Sequence, residues 1–244
     1  MTMNKFKYVI SLGYFCSPAL ELRRLGLRDA SYPLDWTISY DFSLVMRLIE
    51  NHFVGFLSED SLYQLKEMPN CYRDKKNKVD FYHDFDELRS LKRQLFDVKQ
   101  KYNRRIARFY DTIKHPTLFV RYVSTLEEYL YICENYEMIQ LFFKKFNSNN
   151  EVHFVVSVDS DGIQSSDMNI WYVEADENES VARKFLDKNE ELRKYILENV
   201  EYRADGDLML SQRKLSLGKR IGRKLCLKLK LYYRHNRTVA HADR

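Results

Sequence analysis

Tyr8-Val-Ile-Ser-Leu-Gly13-Tyr-Phe-Cys16-Ser-Pro18 holds a strand, a turn and a helix start in one short run. Four apolar-to-small residues read as a buried strand, and Gly13 lets the chain turn. Ser17 suits an N-cap, and Pro18 suits the first helical position, where its missing N–H costs nothing. The thiol of Cys16 is thereby placed at the positive end of a helix. There the dipole and the first-turn N–H groups favour the thiolate, the form that attacks electrophiles. The alternative is a buried cysteine packing as a small hydrophobe at a strand–helix junction.

The same alternation continues outward. Pro18 to Leu25 reads as a helix stopped by Gly26. In Asp41–Glu50, Phe42, Val45, Met46 and Ile49 share a helical face. Val79–His83 reads as a short strand. A long charged helix or helix pair runs from about Asp86 to His115 and ends at Pro116. Thr117–Val123 is an apolar strand, after which Ser124 or Thr125 caps a helix to about Phe146, with Glu127 or Glu128 able to complete a capping box. Glu151–Val158 is a buried strand followed by an Asp159–Gly162 turn. Ile170–Val173 gives another strand, and 180–199 an amphipathic helix. Strands separated by helices predict an α/β class: a layered, mostly parallel sheet flanked by helices. Sites in such sheets lie at the C-terminal strand ends. That rule gathers Cys16 after the first strand, His83 at the end of the second, Arg121 in the third and Asp159 at the end of the fourth.

The chain divides into residues 1–203, an α/β catalytic-type domain, and 204–244, a basic amphipathic tail. The formal charge of +5 conceals this division. Residues 212–237 hold ten Lys or Arg and no acid, which leaves a body of net charge −5. Overall basicity therefore says nothing about the site. In the tail, Leu217, Ile221 and Leu225 recur at four-residue steps. A basic amphipathic segment can lie on an anionic membrane surface, whereas no nucleic-acid module accompanies the charge. No apolar run is long enough to span a bilayer. Lys5 and Lys7 precede an apolar run broken by Ser11 and Gly13, which does not make a signal peptide. The expected location is cytoplasmic, with the tail able to rest on the inner face of the membrane. Cys16, Cys71, Cys133 and Cys226 stand singly, without metal-ligand spacing. Cys133 reads as core and Cys71 as a loop residue. No phosphate loop, dinucleotide fingerprint or metalloprotease motif occurs. No cofactor and no metal are expected.

Further motifs follow the first: Ser31-Tyr-Pro-Leu-Asp35-Trp36, Phe81-Tyr-His83-Asp84-Phe85, Tyr102-Asn-Arg-Arg105-Ile-Ala-Arg108-Phe109 and Leu118-Phe-Val-Arg121. In this order they resemble a bacterial domain-of-unknown-function family labelled papain-like cysteine peptidase, whose members often stand near genes for surface-polysaccharide synthesis. The resemblance covers about residues 8 to 125. It implies Cys16 as nucleophile and His83 as its partner. Asp35, Trp36, Arg105 and Arg121 match motif positions to which it gives no role. The surroundings of Cys16 depart from the papain pattern Cys-Gly-Ser/Ala-Cys-Trp/Tyr. The papain fold is α+β, whereas the alternation here predicts a layered α/β domain.

Residue by residue, His83 could be the general base, since imidazole titrates near neutral pH. Asp84 is adjacent, and neighbours on a regular strand face opposite ways, so it supports His83 only if the strand has ended. His52, near a helix end, and His153, in a buried strand, read as structural. Arg121 in an apolar strand needs an anion: a substrate phosphate or carboxylate, or an internal acid such as Asp35. Arg104 and Arg108 share a helix face and Arg105 points elsewhere. Asp35 could orient a histidine or an arginine, with Trp36 an apolar or sugar-stacking wall. The leading reading is a Cys–His hydrolase or acyltransferase acting on a small-molecule, glycan or peptide substrate. Two alternatives stand beside it: a glycan-pathway transferase gripping a phosphorylated donor with Arg105 and Arg121, and a non-catalytic membrane-associated scaffold.

Overall fold

The computed structural model describes residues 5–158, 169–174 and 184–201. In chain order its elements are β1 (Tyr8–Ser11), α1 (Ser17–Arg24), β2 (Thr37–Ser39), α2 (Phe42–Glu50), β3 (Leu62–Leu65), β4 (Met68–Asp74), β5 (Val79–Phe81) and α3 (Leu91–Thr112). There follow β6 (Thr117–Val123), α4 (Leu126–Lys144), β7 (Glu151–Val156), β8 (Ile170–Tyr172), α5 (Phe185–Lys188) and α6 (Glu190–Asn199).

The first sheet is parallel, in the order β1-β6-β7-β8. Its centre is β6, buried along its whole length. Successive side chains of a strand point to opposite faces, and β6 divides accordingly. Phe119 and Val123 enter one core with α2, α3 and α4, while Leu118, Val120 and Tyr122 enter another with α1, α5 and α6. Both faces are thus covered, as a parallel sheet requires. This is the α/β architecture that the alternation predicts.

The helices begin where their caps stand. Asp41 accepts from the Leu44 amide at the start of α2, and Thr125 from the Glu128 amide at the start of α4. Helix α3 starts only after Ser90. The Gln94 side chain holds the preceding loop by accepting from the Asp86 amide at 2.8 Å. The amphipathic stretch near the end breaks at Asn189, which caps α6 through the Leu192 amide.

The second sheet is a departure from expectation. It is antiparallel, in the order β2-β5-β4-β3. The strand before His83 belongs here, not to the parallel sheet, and it ends at Phe81. Cys71, expected in a loop, lies fully buried in β4. Pro69 and Asn70, poor strand formers, fall between the paired residues of β4 and are held by side chains: Gln64 donates to the Pro69 carbonyl and Asn70 to the Tyr82 carbonyl at 3.2 Å. Arg73 on β4 grips Asp80 on β5 through two hydrogen bonds, of 2.5 and 2.7 Å.

No helix among the described residues is long and apolar enough to cross a membrane. The Asp159–Gly162 turn and the basic tail lie outside the described residues.

Candidate active site

The chain leaves β1 through two residues in the left-handed region, Gly13 at φ 82° and Tyr14 at φ 77°. Such a conformation is strained for tyrosine, by about 1–3 kcal/mol, and needs support from its surroundings. Arg121 supplies much of it. Its Nη1 donates to the Leu12 carbonyl at 3.0 Å and to Ser39 Oγ at 2.8 Å. Its Nη2 donates to the Ser39 carbonyl and to Glu128, both at 2.6 Å, and its Nε donates to Glu128 at 2.8 Å. All five N–H groups of the guanidinium are used inside the protein. The Ser39 amide also donates to the Tyr14 carbonyl at 2.8 Å. One buried arginine therefore ties the exit of β1, the end of β2 and the start of α4 together.

The acid that Arg121 needs is Glu128 and not Asp35. Glu128 consequently does not close a capping box on α4. Only one of its oxygens is engaged by Arg121, and the other, Oε2, is buried without a partner among the described residues. Burial pushes the Glu128 carboxyl up to about 7, against the pull of Arg121. The folded chain then holds this proton more tightly than the unfolded chain, whose glutamate titrates near 4.5. The stability it contributes is full below about pH 4.5 and is lost as pH rises through about 7. Urea unfolding between pH 5 and pH 8 should show a loss on the order of 3 kcal/mol from this group. Glu128→Gln should flatten that part of the profile. An unchanged slope in the variant would remove Glu128 as its source.

Cys16 follows the supported turn. It is itself the N-cap of α1, with helical torsions, while Ser17 and Pro18 occupy the first turn. The position is one residue closer to the helix than the sequence pattern suggests, so the half-buried thiol sits on the helix end. The Cys16 carbonyl accepts from the Leu20 amide at 3.0 Å and starts the helix.

His83 arrives from the second sheet, two residues beyond the end of β5. Its ring stands edge-on to Trp36, 6.2 Å between centroids, and against Tyr82 at 5.2 Å. No hydrogen bond joins it to Cys16, and neither ring nitrogen is hydrogen-bonded among the described residues. The ring keeps an exposed edge, and its partial desolvation against Trp36 and Tyr82, opposed by Asp84 and helped by Lys101, shifts its pKa downward, towards the neutral, proton-accepting form. Asp84 is occupied elsewhere. It accepts from Lys101 and from Tyr102 Oη, the latter at 2.8 Å. Its effect on His83 is electrostatic, and its side chain is anchored to α3. Beside His83 opens a cavity of about 460 Å³, lined among others by Asp84, Asp86, Lys101 and Arg104.

Asp35 orients an arginine, one of the two roles its motif allowed. It accepts from Arg28 Nη2 at 2.6 Å and from the Tyr32 amide at 2.8 Å. Trp36 is half-buried, with the guanidinium carbons of Arg28 and Arg23 at 5.2 and 5.9 Å from its ring. Arg105 lies over Tyr102 at 5.0 Å. Arg28, which no motif reading singled out, is the missing member of this group. Its spacing from Asp35 across a turn carries no signal by itself.

His52 and His153, the other two histidines weighed as bases, have structural surroundings. His52 stacks on Tyr110 at 4.8 Å. His153 accepts from the Trp171 indole at 3.0 Å and lies 3.4 Å from Glu151. Among the described residues no group of three or more His, Cys, Asp or Glu side chains could hold a metal ion.

A parallel α/β sheet whose first strand turns into a cysteine-capped helix defines a protein class with a thiol at a helix N-terminus. Within that class the chain belongs to the family described as "Putative papain-like cysteine peptidase", which matches residues 7–158. It is also similar to an uncharacterized protein of Acanthamoeba polyphaga mimivirus, at 26% identity over 178 residues, covering 64% of this chain and 79% of that protein. No solved structure matches significantly.

Proposed function

We propose that the protein is a cysteine hydrolase of the acyl-transfer type, with Cys16 as nucleophile and His83 as general base. The observation that carries this reading is Cys16 at the N-cap of α1, held there by a strained turn. A helix N-terminus lowers the pKa of a thiol and offers N–H groups to an oxyanion. His83 borders a cavity and has no hydrogen bond to its ring nitrogens among the described residues, whereas His153 is held by Trp171 and Glu151 and His52 packs on Tyr110. In the step envisaged, Cys16 Sγ attacks a carbonyl carbon and its proton passes to His83. First-turn amides such as that of Ala19 face the developing oxyanion, and the proton returns to the leaving group. Water as acceptor completes a hydrolase cycle. A sugar hydroxyl as acceptor makes the same machinery an acyltransferase in surface-polysaccharide synthesis, the context that the family resemblance suggests. The rival reading, a transferase gripping a phosphorylated donor through Arg105 and Arg121, loses one of its two arginines to the Glu128 clamp.

The test is the rate of iodoacetamide labelling at Cys16 against pH, followed by mass spectrometry. Labelling should persist well below the ordinary cysteine pKa of about 8.5 and fall at least tenfold near pH 6 in His83→Ala. An ordinary titration near 8.5, unchanged by the substitution, would sink the pair.

A further inference from the structure

Two arginine nitrogens around Asp35 are anomalous. Arg28 Nε and Arg105 Nη1 are buried and have no hydrogen-bond partner among the described residues. Native proteins rarely leave buried donors unmade, and a charged one is the costliest to strand. Both guanidiniums stand against one carboxylate. Arg28 donates to Asp35 directly, and the charge of Arg105 acts on Asp35 as well. Arg108 adds a third cation by donating to the Ser31 carbonyl at 2.9 Å, and Arg23 a fourth over Trp36. Of the other acids nearby, Asp29 accepts from Tyr32 and Asp84 from Lys101 and Tyr102, which leaves Asp35 as the carboxylate that Arg28 grips.

We propose that Arg28 and Arg105 form a phosphate-binding site beside Trp36. The geometry of Arg28 selects the anion. Its Nη2 already donates to Ser31 Oγ at 2.8 Å and to Asp35 at 2.6 Å. The flat edge that takes a carboxylate through two parallel bonds is therefore spent. The buried donors left over are Arg28 Nε and Arg105 Nη1, which belong to two separate guanidiniums. Donors that come from two guanidiniums suit an anion with oxygens directed to several sides, as a phosphate has, better than a planar carboxylate. Asp35 holds Arg28 in place and stacks it on Trp36, so the donor is fixed before the ligand arrives. The Trp36 ring meets both Arg28 and His83, which sets this site next to the cavity of the candidate base. Resting on the cysteine hydrolase reading for its catalytic meaning, the site makes a phosphate-bearing compound the substrate class. The binding itself requires no turnover.

The experiment is a calorimetric titration of the full chain with inorganic phosphate in 150 mM salt. The basic tail contributes weak background in every variant, so the differences carry the result. Arg105→Gln is expected to weaken phosphate binding at least tenfold, with the circular dichroism spectrum unchanged. Arg28→Gln should do the same, but it also strands Asp35, so the Arg105 variant decides. Lys144→Gln, an exposed cation at the far end of α4, should bind as wild type does. Acetate at equal concentration should not compete. Wild-type affinity in Arg105→Gln, or equal loss in Lys144→Gln, would overturn the site, and full competition by acetate would overturn its selectivity for phosphate. An ordinary Cys16 in the labelling assay would instead sink the hydrolase reading and leave phosphate binding intact.

Discussion

Arg121→Met is expected to lower folding stability by about 3–5 kcal/mol at pH 8, the usual cost of removing one partner of a buried ion pair. In the wild type Glu128 is mostly ionised at that pH, and without Arg121 the buried carboxylate must either stay as an unpaired charge or take up a proton at a cost that rises with pH. The variant also frees the Leu12 and Ser39 carbonyls and Ser39 Oγ from their donor. Those groups hold the β1 exit against β2, and the loss should therefore reach the thiol as well as the melting curve. Urea unfolding measures the first effect, and the labelling profile of Cys16 measures the second. Arg121→Met combined with Glu128→Leu should recover a good part of the stability, because replacing both partners removes the stranded charge. A loss below about 1 kcal/mol in the single variant would put this pair in the class of weakly contributing ion pairs and end the clamp argument.

Gly13→Val should be nearly as damaging, for a different reason. At φ 82° any L side chain is penalised, by roughly 1–2 kcal/mol. A Cβ here would also meet the Leu34 carbonyl oxygen and Ser39 Oγ at 3.2 Å and Arg121 Nη1 at 3.4 Å. The extra methyls of valine have no space between those polar groups, which adds about 1–3 kcal/mol of overpacking. The combined cost is about 2–5 kcal/mol. Gly55 provides the control. It has φ 79°, but the nearest contact its Cβ would make is the flexible end of Lys76, at 3.7 Å. Gly55→Val should therefore cost only the backbone part. Equal losses at the two glycines in urea unfolding would show that the space around Gly13 is not what constrains it.

The two positions also show where reading the sequence succeeds. Gly13 announces its turn through an apolar run before it and a helix start after it. Asp41 and Thr125 announce their helices in the same way. Each of these features is stabilised by residues a few positions apart, so the information lies within one window of sequence. The N-cap shifted by one residue, from Ser17 to Cys16, because cap preference names suitable types and not the torsions the chain adopts.

The second sheet shows where reading fails. Its strands have three to seven residues, and β4 carries Pro69 and Asn70. Nothing local favours that strand. It exists because Arg73 meets Asp80 and because Tyr72 and Phe81 pair across to a neighbour. His83 consequently reaches its place from a sheet that the alternation of strands and helices did not reveal.

The amino-acid sequence by itself determined the parallel α/β layer, the turn at Gly13 and the presence of a thiol at the head of α1, because backbone geometry and side-chain periodicity act over short separations. Only the tertiary structure decided that Arg121 is matched by Glu128, that Asp35 is matched by Arg28, and that Trp36 stands between Arg28 and His83. Charged side chains choose partners by distance and burial in three dimensions, and a buried charge takes whichever counter-charge the packing brings within reach.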